Sequence, residues 1–121
     1  MDEDNYSSSV HCAYYGCFQF IKYKLNQIGH SYDSIDTAIS SSKTKPVKLT
    51  THGYPIDLMC KEINKKFNDS GFTARDIKGK VKRLRAIRLL SDYHNEFISF
   101  DKGNEAIKLS NEVISFVKSK L

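Results

Sequence analysis

Proline and glycine are scarce in this chain: two and six in 121 residues. So few breakers favour long, uninterrupted elements. No apolar run approaches the roughly 20 residues of a membrane-spanning helix. The acidic, polar start from Met1 to Asn5 does not read as a signal peptide. No membrane association is expected from this, and a cytoplasmic location is. Cysteine occurs three times, an odd number that suits a disulfide framework poorly. Cys12 and Cys17 would stand about 140° apart on a helix, a poor zinc knuckle as well. With Cys60 they read as buried thiols. No Gly-rich phosphate loop, zinc signature or Ser-His-Asp arrangement occurs, so no metal or cofactor is expected.

What remains is an ordinary folded composition, 40% hydrophobic and 27% charged, in a length that suits one domain over residues 1–121. From about Asp4 to Gly29, Val10, Tyr14, Cys17, Ile21, Leu25 and Ile28 recur at helical spacing, with Gly29 placed to stop the helix. Residues from about 36 to 52 are the least regular. Ser40 to Pro46 read as a surface loop there, and a short helical turn fits Ser34–Ile39. A second helix spans about Tyr54 to Phe67, with Ile56, Met59, Cys60, Ile63 and Phe67 on its apolar face and Pro55 tolerated in its first turn. A third spans Thr73 to about His94. Thr73 and Asp76 have capping-box spacing there, and Ile77, Val81, Leu84 and Ile87 point inward. The last starts near Asp101 or Asn104 and buries Ala106, Leu109, Val113, Phe116, Val117 and Leu121. The fold class is therefore all-α, a four- to five-helix up-and-down bundle. The short 95–103 connection makes the last two helices antiparallel neighbours.

The net charge is +5, but it is not spread evenly. Between Thr73 and Arg88 stand Arg75, Lys78, Lys80, Lys82, Arg83, Arg85 and Arg88, against the single acid Asp76. That stretch alone outweighs the net charge of the whole chain. Arg75, Lys78, Lys82 and Arg85 are three and four apart and share a helix face. With Arg83 they are the candidate nucleic-acid-binding residues, and binding through them would fall steeply with salt. The competing reading is a solvated face that only maintains solubility.

At the end of this helix, Arg88 could pair with Asp92 at the i, i+4 spacing, and His94 could serve as a C-terminal cation. Six helical positions separate Arg88 from His94 by about 240° and roughly 9 Å. The two converge only across a helix end or across two subunits. His11 and His30 read as surface or capping residues, and His52 as structural. Tyr14, Tyr15, Phe18 and Phe20 read as core or interface.

The stretch Tyr6 to Phe18, with its alanine and double tyrosine, and the string Leu84-Arg-Ala-Ile-Arg-Leu-Leu-Ser-Asp-Tyr93 resemble the HEPN domains. Arg88 and His94 fit that family's Arg-x(4–6)-His motif, although Leu89 stands where a polar residue is usual. The resemblance implies a helical, usually dimeric domain. Many members are metal-independent ribonucleases in toxin–antitoxin, defence or RNA-processing systems. Others have no demonstrated catalysis and serve as partners of a minimal nucleotidyltransferase. The alternatives for this chain are a non-catalytic subunit that pairs with an antitoxin or a nucleotidyltransferase, and a nucleotide-binding helical domain. In a nuclease of this kind a 2′-hydroxyl would attack the adjacent phosphate, His94 would move the proton, Arg88 would stabilise the charge and Asp92 would support them.

Overall fold

In the computed structural model of the protein, residues 3–93 and 100–121 are described, with side chains from 8–90 and 100–121. Five helices follow one another: α1 (Glu3–Gln27), α2 (Tyr32–Ser42), α3 (Gly53–Lys66), α4 (Phe72–Tyr93) and α5 (Phe100–Lys120). No strand occurs among the described residues, so the fold is all-α. No helix among them is long and apolar enough to cross a membrane.

The buried side of α1 is the stripe Val10, Tyr14, Cys17, Phe18, Ile21 and Leu25. Its end is fixed by backbone geometry. Gly29 has φ +113°, His30 N–H reaches back to Leu25 O at 2.8 Å, and Gly29 N–H points to Asn26 O at 3.4 Å. This paired closure satisfies the last carbonyls and requires a residue that accepts positive φ. His30, expected to be a surface or capping residue, also places Nε2 2.8 Å from Glu62 Oε1 and ties this turn to α3.

The region expected to be loop from about 36 to 52 is helical as far as Ser42. Ser31 caps α2 by accepting Ser34 N–H at 3.1 Å. Ser40, Ser41 and Ser42 form its last turn because the Ser42 hydroxyl has two uses inside the fold. It donates to Ile39 O at 2.7 Å and accepts Leu49 N–H at 2.8 Å. Serine in a helix normally competes with the backbone. Here that back-bond anchors the following loop, and Ser42 is buried.

The start of α4 also differs from expectation. Thr73 does not cap it with Asp76. Asp69 does, its Oδ2 accepting both the Thr73 N–H, at 3.1 Å, and the Thr73 hydroxyl. Ser70 and Gly71, both at positive φ, turn the chain so that Asp69 folds back over the first turn. The Asp69 carboxyl is held below its ordinary range, first by the Thr73 hydroxyl.

Cross-helix pairs fix the directions. Tyr14 meets His52, and His30 meets Glu62, so α1 and α3 run the same way. Asp57 meets Lys78 and the Cys60 thiol meets Ala74 O, so α4 runs against α3. Lys80 meets Glu112 and Arg83 meets Glu105, so α5 runs against α4. The α4–α5 pair is antiparallel as expected. α1 packs most extensively on α5 and also touches α3 and α4. At the α1–α5 seam the buried Ser110 hydroxyl donates to Ala13 O at 2.9 Å. The common core is Tyr14, Ile21, Leu25, Met59, Ile63, Leu84, Ile87, Val113 and their neighbours.

Glycine contributes oppositely at two places. A Cβ at Gly29 would meet no atom within 4 Å, so its cost is the backbone alone. Gly79 is exposed inside α4, at ordinary φ, with the same empty surroundings. Gly29→Ala is expected to lower the unfolding free energy by about 1 kcal/mol. Gly79→Ala is expected to raise it by about 0.8 kcal/mol. Urea denaturation of the two variants gives opposite shifts in midpoint.

Candidate functional site

The basic residues of α4 do not act as one ridge. Arg83 turns toward α5 and grips Glu105 with two parallel bonds of 3.0 Å each. Lys80 lies on the same side, 3.0 Å from Glu112 and 3.6 Å from Asp76. The Arg83 guanidinium holds the Glu105 carboxyl below the carboxylate range. Arg75 points back to Ser70 O at 3.1 Å. Lys78 faces α3 and pairs with Asp57 at 3.2 Å. Lys82 and Arg85 are exposed and, among the described residues, have no ion pair. Counting acids within the helix overlooked those that α3 and α5 bring to it. Of the five expected contact residues, Lys78, Lys82 and Arg85 share a site; Arg75 and Arg83 lie apart from it.

That site is a half-enclosed cleft of about 470 Å³ between α4 and the start of α3, lined on the α4 side by Lys78, Val81, Lys82 and Arg85. Opposite them stand Thr50, Thr51, His52 and Gly53, followed by Ile56 and Asp57. The Thr50 hydroxyl accepts Gly53 N–H at 2.8 Å, and Thr50 O accepts Tyr54 N–H at 3.1 Å. Thr50 thus caps the first turn of α3. Gly53 is needed there, because a Cβ would lie 2.5 Å from the Thr50 hydroxyl oxygen. The first turn of α3 thus lines the cleft opposite Lys82 and Arg85 with its Gly53 and Tyr54 N–H groups already taken up by Thr50.

His52 forms the inner wall. Its ring lies 4.7 Å from Phe18 and 5.7 Å from Tyr14, centroid to centroid. Nδ1 stands 2.9 Å from the Tyr14 hydroxyl. Burial lowers the His52 pKa from its ordinary value, and the positive charges of Arg85, Arg88 and Lys22 lower it further. The imidazole is therefore neutral at pH 7. Burial raises the Tyr14 phenol, so it remains a donor.

Arg88 sits behind this wall, 7% exposed. Its guanidinium carbon lies 5.1 Å from the Tyr14 ring centroid and 4.9 Å from that of Tyr15, and Nη2 donates to the Tyr15 hydroxyl at 2.9 Å. Asp92 lies within α4 but its side chain is not among those described, and His94 is outside the described residues. The expected Arg88–Asp92–His94 grouping is thus seen only at Arg88.

A second groove, of about 710 Å³, runs between α4 and α5 past Asp76, Lys80, Lys108 and Glu112. It is larger, but Lys80 there is already matched by Asp76 and Glu112, so it offers an anion less. The cysteines divide. Cys17 is buried, and burial pushes its thiol up to about 12, which makes it inert; Cys60 is half-buried. Cys12, expected to be buried, is exposed: it falls on the outer side of the α1 stripe.

Sequence reasoning missed Thr50, Thr51 and His52 as site residues. The available signal was Thr50-Thr51-His52-Gly53 immediately before an apolar helical run, an N-cap pattern. Comparison of the chain with family models, curated proteins and solved structures finds no match.

Two outcomes follow from the geometry. Because folding weakens proton binding by His52, its contribution to stability is full above pH 6.5 and is lost as pH falls below that value toward its lowered folded pKa. Unfolding midpoints at pH 7.5 and 5.5 should therefore differ more for the wild type than for His52→Gln. Arg88→Ala should cost about 2–3 kcal/mol of stability by urea denaturation, and Tyr15→Phe about 1 kcal/mol.

Proposed function

We propose that this domain binds single-stranded RNA through the α3–α4 cleft. The observation that carries the reading is the pair Lys82 and Arg85. Both are exposed cations without a carboxylate partner among the described residues, and both line a cleft that the first turn of α3 also lines. Phosphate oxygens match such donors, and Arg adds a planar, two-pronged contact. Lys78 supplies a third cation whose pairing with Asp57 is exposed and readily exchanged. The resemblance of α1 and α4 to HEPN domains points to the same class of ligand.

The reading is one of binding, in line with the non-catalytic members that the resemblance implies. The described contacts of Arg88 are made inside the bundle, with Tyr14 and Tyr15. Cleavage by Arg88 and His94 would require the guanidinium to reach a phosphate from that position. RNA incubated with the protein in EDTA tests this directly, and folding of each Arg88 variant must be verified by circular dichroism.

Binding of a labelled single-stranded oligoribonucleotide, read by fluorescence anisotropy between 50 and 200 mM salt, tests the proposal. The slope of log K against log salt is expected near −2, as about three phosphate contacts require. Lys82→Gln and Arg85→Gln should each weaken binding about fivefold to tenfold and flatten the slope. Arg83→Gln should change the affinity less than twofold, because its guanidinium is held by Glu105. Equal effects at all three positions would leave only nonspecific attraction to a basic protein.

A further inference from the structure

We infer that the cleft takes a terminal phosphate monoester of a nucleotide, in preference to the internal phosphodiesters of a strand. The inference rests on the RNA-binding reading above and specifies which phosphate the cleft selects. Its basis is the local charge balance. Two helices send cations to one place: Lys22 from α1, and Arg85 and Arg88 from α4, all acting on the His52 ring. Lys82 and Lys78 line the same cleft. The one carboxylate in the lining is Asp57, and Lys78 stands 3.2 Å from it. Lys82 and Arg85 remain uncompensated. An internal diester carries one negative charge, whereas a monoester carries about 1.5 to 2 at pH 7. Two uncompensated cations match the monoester.

The shape agrees with the charge. An internal phosphate needs an open path for the chain on both sides. Here the cleft is half-enclosed and lined by the His52 ring, itself seated on Phe18 and Tyr14. About 470 Å³ lies within the range of pockets that hold one small ligand. The Thr50 and Thr51 side chains add hydroxyls to the same lining, and such donors suit a group with three outward oxygens, which a monoester has and a diester lacks. The α4–α5 groove is larger but lacks this imbalance, since Lys80 there meets both Asp76 and Glu112.

The experiment uses the full chain and one short RNA sequence with a 5′-phosphate, a 3′-phosphate or hydroxyls at both ends. A nucleoside 5′-monophosphate serves as the free-nucleotide probe. At least one phosphorylated oligonucleotide should bind about tenfold tighter than the hydroxyl form, and Lys82→Gln with Arg85→Gln should erase that advantage. A strand binding tighter than the monophosphate assigns the monoester to a strand end; the reverse order assigns it to a free nucleotide. Equal binding of all three oligonucleotides, weakened alike by the double variant, overturns the inference while the RNA-binding reading stands. An advantage that survives the double variant also overturns it, since the monoester then sits elsewhere. No binding of any oligonucleotide overturns both. The substituted side chains are exposed, and unchanged helical circular dichroism confirms that the variants fold.

Discussion

The Arg88 guanidinium, held between two tyrosines, is the contact on which the candidate site depends. It joins α4 to α1 through Tyr14 and Tyr15. Tyr14 then joins α1 to the start of α3 through His52. Three helices are thereby held in register by one relay of polar and aromatic groups at one end of the core. Removing a charge from water is costly unless it is fully satisfied. Two ring faces and a phenol oxygen contribute to that here. The relay also supports the inner wall of the cleft, because the ring of His52 cannot shift without breaking its contact with Tyr14.

Around this anchor, the charges of α4 are sorted by what the neighbouring helices provide. Acids on α5 neutralise Lys80 and Arg83, which bind the bundle together. The cleft side receives only Asp57. A helix that is nearly uniformly basic in sequence thus becomes two-faced in the fold: one face is structural, and the other is left with positive potential. Surface ion pairs contribute little stability individually. Their larger effect here is to confine the unbalanced charge to one place.

Much of the fold could be read in the sequence. The α1 stripe, the stop at Gly29 and the inward face of α4 follow from spacing and from one glycine, and the antiparallel α4–α5 pair from the shortness of the connection between them. Ser40–Ser42 could not be read in this way. Serines report loop by composition, and only the tertiary partner Leu49 shows why Ser42 ends a helix. The Asp69 cap was hidden similarly, since Thr73 and Asp76 have the right spacing and the deciding factor is a positive-φ turn. The site was half legible. Lys78, Lys82 and Arg85 followed from helical spacing. Thr50, Thr51 and His52 did not, because their role depends on a helix brought alongside from a distant part of the chain. The pairing of Arg83 on the α5 side was not legible, because Glu105 lies far from it in sequence.

The hydroxyl of Ser42 has a consequence for how this chain can vary. By holding Ile39 O and Leu49 N–H together, it closes residues 43–48 into a loop with a fixed neck. Val47 lies exposed in that loop. Above such a neck, loop length is only weakly coupled to the bundle, because closure entropy grows slowly with added residues. The loop is therefore a natural point for inserted sequence: a peptide or small domain could be added there while α2 and the cap of α3 keep their places.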